Sequence, residues 1–204
     1  MKNIIKFDQF NSSNWIGPVK IIQISNDLIE TNFGNFKNDS STHLTKGYSY
    51  LLKIEGDKIV ETGMSCVDLI IFKKTGLKYQ ILSIKRGKDP FKDMWANPGG
   101  NIDEGELPID AAIRELWEET GVNIPKDKLK YIGKFDKDWR DPRNKNCVSY
   151  AFMTILDGNY SLDLVAGDDA KECKWIDIDQ SGNVPVDMAF DHDVIIKLAW
   201  SKVK

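Results

Sequence analysis

Three glutamates near the middle of the chain are spaced so that they can act together on one ligand. Glu115, Glu118 and Glu119 stand at i, i+3 and i+4, which places them on one side of two adjacent turns of a helix. Three like charges this close repel one another, and a divalent cation would relieve the repulsion. Carboxylate oxygens suit Mg²⁺, which keeps several waters and binds substrate phosphates. The alternative is an acidic helix face that is simply solvated.

The segment 108–120 carries the signals of a helix. Pro108 suits the first turn, where its missing N–H is not needed, and Gly121 suits the position just past the last turn. Arg114 can donate paired hydrogen bonds to a neighbouring carboxylate and hold it in place. A spacing of 100° per residue predicts one buried face, made of Ile109, Ala112, Ile113, Leu116, Trp117 and Thr120.

A glycine turn precedes this helix and adds to the case for a metal site. In Asn97-Pro98-Gly99-Gly100 the glycines allow a positive φ or a close approach of two backbones. The carbonyl of Gly99 can then join the ligands of the metal. The turn and the acids together fix many positions at set spacings, which favours a built site over a solvated face.

The stretch GNIDEGELPIDAAIRELWEETGV at 100–122 resembles a complete Nudix box. The resemblance implies the α/β (α+β) class, with an α/β/α sandwich around a mixed sheet. It also implies hydrolysis of a nucleoside diphosphate linked to another moiety, with Mg²⁺ as cofactor and Mn²⁺ as a substitute. The implied metal ligands are Gly99, Glu115, Glu118 and Glu119, and the implied catalytic residues are Glu118, Glu115 and Arg114.

Loops outside the box bear on the substrate. Arg140 and Arg143 bracket a proline-stiffened turn, and guanidinium groups suit phosphate recognition. The alternative is a surface turn with an Arg–Asp pair. Arg86 can reach a substrate phosphate or be solvated. Asp168 and Asp169 follow a glycine and can supply the general base or cap a turn, so Asp169 joins the catalytic candidates.

These loops carry a second, narrower resemblance. RDPR at 140–143, AGDDA at 166–170 and AFDHDVI at 189–195 resemble the Nudix subgroup of ADP-ribose pyrophosphatases and related proteins of NAD metabolism. The resemblance implies that ADP-ribose is cut to AMP and ribose 5-phosphate by a homodimer, with Trp139 or Tyr150 stacked on adenine. Two alternatives stay open. One is a Nudix hydrolase of nucleoside triphosphates, dinucleoside polyphosphates or NADH, and the other is a non-catalytic ADP-ribose sensor.

Composition limits the other classes of function. The chain has 204 residues and a net charge of −3, which argues against a broad basic surface for nucleic acid. No apolar run approaches the roughly 20 residues that cross a bilayer, and the start is a poor signal peptide. Cys66, Cys147 and Cys173 form no C-x-x-C pair, which predicts reduced thiols and a cytoplasmic location.

The order of elements predicts a β-rich extension over 1–62 and a Nudix domain over 63–204. A polar loop is expected at 32–45 and a final helix at 190–203, where Asp191 can cap the first turn and His192 is structural. The apolar stripe of that helix is predicted to be Val194, Ile195, Leu198 and Ala199. Strands are predicted at 19–24, 48–54, 66–72, 79–85, 129–135, 148–156 and 173–178.

Overall fold

The structure is a computed structural model. It describes residues 15–24, 28–31, 35–37, 44, 49–55, 58–158, 164, 166–167 and 170–203. Within these residues the helices are α1 (Pro108–Thr120) and α2 (His192–Ser201), with a short 3-10 helix at Lys126–Lys128. The strands are β1 (Trp15–Ile24), β2 (Leu28–Thr31), β3 (Asn35–Lys37), β4 (Ser49–Glu55), β5 (Lys58–Thr75), β6 (Lys78–Arg86), β7 (Trp95–Ala96), β8 (Lys130–Phe135), β9 (Cys147–Asp157) and β10 (Ala170–Ile178).

The central sheet is mixed. Its strands follow the order β8, β9, β5, β6, β10, and β7 pairs with the end of β6. The pairing of β5 with β9 is parallel, whereas β5–β6, β6–β10 and β8–β9 are antiparallel. The long β5 thus lies in the middle, and the segments after β6 and β7 leave the sheet beside it.

One helix covers each face of this sheet. Successive residues of β5 point to opposite faces, so Leu69 packs with Leu116 of α1 and Ile70 packs with Ile195 of α2. The same alternation divides Phe152 from Met153 on β9. The result is the predicted α/β/α sandwich around a mixed sheet.

The N-terminal strands extend the sheet from β5. The first residues of β5 pair with β4, β4 pairs with β1, and β1 pairs with β2. A small core of Ile29, Phe36, Leu52 and Ile59 holds this part together. Because β5 runs without a break through residue 62, the division of the chain at that point stays a prediction. The polar loop expected at 32–45 is wrong in part, since it contains β3.

Helix α1 has the predicted ends, but its buried face is rotated from the prediction. Gly121 adopts a left-handed φ of 69° and its N–H bonds to Trp117 O, as a terminating glycine should. Trp117 itself is 59% exposed, so its predicted burial is wrong. The buried set is Ala111, Ala112, Leu116, Glu119 and Thr120. Burial of a carboxylate in this set shows that a polar site, as well as a core, fixes the helix.

Helix α2 differs from its prediction in two ways. Asp191 holds the N-cap position, but its side chain does not cap the helix and binds Arg140 instead. The predicted stripe is wrong at Val194 and Leu198, which are exposed, because Ile196 and Trp200 are buried in their place. No helix in the described part of the chain is both long and apolar enough to span a bilayer.

Candidate active site

The loop between β7 and α1 is held against the backbone of β5. The Leu69 N–H donates to Pro98 O at 2.8 Å, and the Val67 N–H donates to Gly100 O at 2.9 Å. Gly99 lies between these two bonds with a φ of 154°. A Cβ at Gly99 would stand 2.1 Å from Val67 O, so the loop can lie this close only without a side chain.

Gly99→Ala is therefore expected to destabilise the protein strongly. The matched control is Gly105→Ala, because Gly105 also has a positive φ, of 72°, but has nothing within 4 Å of its added Cβ. The control measures the cost of the left-handed backbone, roughly 1–2 kcal/mol. Gly99→Ala should cost about 1–3 kcal/mol beyond that, because of the clash with β5 and because an L side chain rarely adopts a φ of 154°. Urea unfolding of both variants measures the difference, and equal costs would contradict the close approach.

The side chain of Arg114 bonds to groups both in the loop before α1 and on the helix itself. Its Nε and Nη2 donate to the two carboxylate oxygens of Glu106 at 3.0 and 2.9 Å, and Nη2 also donates to Asn101 O at 2.9 Å. Its Nη1 donates to Glu115 at 2.7 Å and to Glu118 at 3.1 Å. Burial would raise the pKa of Glu106, but the bonds from Arg114 and from the Asp103 N–H together outweigh it and lower that pKa. One guanidinium thus ties the loop to two acids of the helix.

The acids of α1 differ in exposure. Glu118 is 53% exposed, whereas Glu119 is buried and its Oε2 accepts the Gly99 N–H at 2.8 Å. Burial raises the pKa of Glu115, and the hydrogen bond and charge of Arg114 only partly counter it. A Cβ at Gly100 would fall 2.4–2.5 Å from the carboxylate of Glu115, so this glycine makes room for the acid. The loop and the helix are therefore built around these carboxylates.

A second glycine packs on the end of α1. The Gly167 N–H donates to Glu119 O at 3.2 Å, and an added Cβ would lie 1.7 Å from Glu118 O. The segment before β10 thus runs directly over the acidic turn. Asp168 and Asp169 come directly after Gly167, and both lie outside the described residues. The catalytic role of Asp169 therefore stays a prediction.

A cavity of about 770 Å³ opens beside the acids. Its size is that of a pocket for a small molecule. Acidic and basic side chains both line it. The acids include Glu115, Glu118 and Glu119, and the basic residues are Arg86, Lys88, Arg140 and Arg143. Gly99 lines the same cavity, so the structure brings together the predicted metal ligands and three of the four predicted substrate-binding residues.

Two of these arginines share one aromatic ring. The Cζ atom of Arg86 lies 4.8 Å, and that of Arg143 5.5 Å, from the ring centre of Phe190. Arg143 is also paired with Asp141 at 2.6 Å, which is the predicted Arg–Asp pair. Phe190 has a left-handed φ of 55°, which is rare for a bulky residue and marks a position fixed by its surroundings. The ring thus contacts two guanidinium groups that line the cavity.

Arg140 lines the cavity and belongs to a buried ionic cluster. Its Nε and Nη2 donate to the two oxygens of Asp191 at 3.1 and 2.9 Å, and Nη2 also donates to Asp68 at 3.1 Å. Burial alone would raise the pKa of Asp68, but His192, Arg140 and Ser149 hold it well below its usual range. With 4% of its surface exposed, Arg140 does not sit on a surface turn, so that alternative is wrong for Arg140, although the expected Arg–Asp pair is present at Arg143. Its predicted contact with phosphate stays a prediction.

The proposed adenine-stacking residues do not line the cavity. Trp139 is 66% exposed and lies elsewhere, and Tyr150 is buried in the core under α1. The aromatic residue in the cavity is Phe190, which the sequence reasoning did not single out. The sequence reasoning also did not name Asp68 as a site residue. A lone carboxylate in the apolar run of β5 is nevertheless a signal, because a buried charge needs a partner.

The donor set fits a hard divalent cation, although it is not arranged as a finished coordination sphere. Three carboxylates and the Gly99 backbone line one cavity, and all offer oxygen atoms. Oxygens of Glu115 and Glu118 are bonded to Arg114. No three His, Cys, Asp or Glu side chains in the described ranges already converge on a single metal position. Arg114 bonds to one oxygen of each of these two carboxylates, so a cation would be held by the other oxygen of each.

The sequence of this chain is similar to those of known proteins. The NUDIX domain family matches residues 64–199. The chain is 43% identical over 118 residues to an ADP-ribose pyrophosphatase of Methanocaldococcus jannaschii, which covers 58% of this chain and 64% of that protein. It is 29% identical over 139 residues to the ADPR responsive transcriptional repressor NtrR of Acinetobacter baylyi, with 67% and 53% covered. The chain thus spans less than two thirds of either relative.

A solved structure agrees with the fold. The bifunctional NMN adenylyltransferase/ADP ribose pyrophosphatase from Francisella tularensis, complexed with AMP and a Mn ion, superposes with a TM-score of 0.61 at 29% identity. The match covers 71% of this chain and 43% of that one. The matched family range begins within β5 and ends in α2, so it includes the loop, α1 and the buried cluster. The chain therefore belongs to the NUDIX domain family.

Proposed function

We propose that this protein is a pyrophosphohydrolase that uses Mg²⁺ to cut ADP-ribose into AMP and ribose 5-phosphate. The observation that carries the proposal is the shared cavity, in which Glu115, Glu118 and Glu119 stand with Arg86 and Arg143. Acids that can hold a cation and guanidiniums that can hold phosphate are the two groups that a pyrophosphate substrate requires. Two relatives whose names refer to ADP-ribose support the choice of substrate.

Each part of the site has a proposed role. Glu115, Glu118, Glu119 and the Gly99 carbonyl would hold the cation, which supplies charge stabilisation and activates water when bound. Arg86 and Arg143, steadied by Phe190, would bind and orient the phosphates.

Glu118 has a further role as the base. It is the most exposed of the three glutamates, and we assign it the proton of the attacking water. The Arg114 guanidinium lies 3.1 Å from this carboxylate and can orient it. The water oxygen bonds to one phosphorus, and the bridging oxygen leaves with the other phosphate.

A non-catalytic sensor is the second candidate, because one relative is an ADPR responsive repressor. A protein that only binds ADP-ribose has no need of charged residues at all the metal positions. This chain keeps Glu115, Glu118 and Glu119, together with a loop glycine, Gly100, whose missing side chain makes room for Glu115. These features favour the hydrolase.

A substrate panel tests the proposal. It would hold ADP-ribose, NADH, diadenosine polyphosphates, nucleotide sugars and nucleoside triphosphates, each with Mg²⁺ and then Mn²⁺, with products identified by chromatography. AMP and ribose 5-phosphate from ADP-ribose should appear fastest. Glu115→Gln, purified in parallel, controls for contaminating enzymes, because contaminant activity persists in that variant. Faster turnover of a triphosphate or dinucleotide would overturn the substrate assignment and keep the hydrolase.

A further inference from the structure

His192, the first residue of α2, bonds through both of its ring nitrogens. Its Nδ1 accepts the Asn97 N–H at 2.8 Å, and its Nε2 lies 3.1 Å from Asp68 Oδ1. An acceptor needs a free lone pair, so the ring proton is on Nε2 and is donated to Asp68. The ring is buried. Because its two nitrogens bond to Asp68 and to Asn97, it connects β5 to the start of the Asn97–Gly100 loop.

The second carboxylate oxygen of Asp68 is also hydrogen-bonded. Its Oδ2 accepts hydrogen bonds from Ser149 Oγ and from Arg140 Nη2. These partners come from β9 and from the loop before it, while the histidine comes from α2. A carboxylate bonded on both oxygens cannot rotate freely, so Asp68 fixes the orientation and the tautomer of His192.

The loop depends on this histidine at its first residue. Beyond Asn97, the carbonyls of Pro98 and Gly100 are bonded to β5. The side chain of Asn97 is buried and its amide atoms find no partner among the described residues. The side chain that holds Asn97 is thus His192, which accepts a hydrogen bond from the main-chain N–H of Asn97. Asn97 lies two residues before Gly99.

We propose that His192, oriented by Asp68, is a positioning residue that fixes the Asn97 peptide and through it the Gly99 segment of the site. Gly99 has two tasks there, since its N–H bonds to Glu119 and its carbonyl is an assigned cation ligand. A shift of this peptide would move both. The inference rests on the proposed function for its kinetic consequences, but the hydrogen bond itself can be tested without turnover.

Two substitutions separate the two bonds of the ring. His192→Asn carries an amide oxygen at about the position of Nδ1 and can still accept the Asn97 N–H. His192→Gln carries its amide at about the position of Nε2 and can donate to Asp68, but not accept from Asn97. Loss of the bond that orients a ligand group costs about 10- to 100-fold in metal affinity or activity. His192→Gln should show the larger loss in kcat, because it removes the bond to Asn97, whereas a merely structural role would make kcat follow the melting temperature in both variants.

Hydrogen exchange and Mn²⁺ binding give the decisive readouts. The Asn97 amide should exchange faster in His192→Gln and stay protected in His192→Asn. The dissociation constant for Mn²⁺, measured by electron paramagnetic resonance, should rise about tenfold or more in His192→Gln alone. A protected Asn97 amide and unchanged Mn²⁺ affinity in His192→Gln would overturn the proposal. Absence of turnover by the unaltered protein would instead overturn the proposed function, because these readouts require no hydrolysis.

The unaltered protein provides a test that does not depend on the folding of any variant. Long-range ¹H–¹⁵N spectra report which nitrogen of His192 carries the proton. A proton on Nε2, with Nδ1 accepting the bond from Asn97, supports the proposal. A proton on Nδ1 would overturn it, because that nitrogen could then not accept the Asn97 N–H.

Discussion

Glu119→Gln is expected to lower kcat for ADP-ribose by about 100-fold or more, which corresponds to roughly 3 kcal/mol of lost transition-state stabilisation. The amide keeps the shape of the side chain and can still accept the Gly99 N–H, which lies 2.8 Å from the carboxylate. The substitution therefore removes the charge and leaves the loop in place. Steady-state kinetics with Mg²⁺ titrated at saturating substrate measure the effect.

The matched control for this substitution is Glu104→Gln. Glu104 is exposed in the loop before α1 and is not among the residues that line the cavity. Its substitution should leave kcat and the Mg²⁺ dependence within about twofold, because an exposed charge that does not line the cavity is screened by water and salt. If Glu119→Gln keeps full turnover with the same Mg²⁺ dependence as the control, the assignment of Glu119 as a cation ligand is wrong.

Arg140→Met is expected to destabilise the protein by about 3–5 kcal/mol, since it leaves two buried carboxylates without their cation. Asp68 and Asp191 both bond to this guanidinium, and both are buried. Methionine fills part of the arginine volume, so the loss comes mainly from charge and not from a cavity. Urea unfolding at neutral pH, followed by tryptophan fluorescence, gives the free energy.

Lys126→Met serves as the control for this effect. It breaks the ion pair of Lys126 with Asp110, in which both side chains are about half exposed. Exposed pairs contribute about 0–1 kcal/mol, so the control should stay within that range. A cost for Arg140→Met no greater than for Lys126→Met would contradict the account of the buried cluster.

The parts of the fold that were predicted correctly depend on local signals. Pro108 and Gly121 mark the ends of α1 in the sequence, and apolar runs mark β5 and β9. The burial of α1 is different, because it depends on what packs there. Glu119 is drawn under the Gly99 loop, and Trp117 is left on the outside. A helical wheel ranks residues by polarity and cannot anticipate a carboxylate that is needed inside.

The candidate site was predictable where it follows the box and unpredictable where distant segments meet. Asp68, Arg140 and Asp191 are brought together by the parallel pairing of β5 with β9 and by the packing of α2. Spacing along the chain does not contain that information. The homodimer, the cytoplasmic location and the role of Asp169 stay predictions.

A ³¹P NMR time course of ADP-ribose with the purified protein and Mg²⁺ tests the proposed hydrolysis most directly. We expect the pyrophosphate resonances to disappear and two phosphomonoester resonances, of AMP and ribose 5-phosphate, to replace them. The same sample with excess chelator should remain unchanged. An unchanged spectrum with Mg²⁺, together with a melting temperature raised by ADP-ribose, would contradict the hydrolase and favour the sensor.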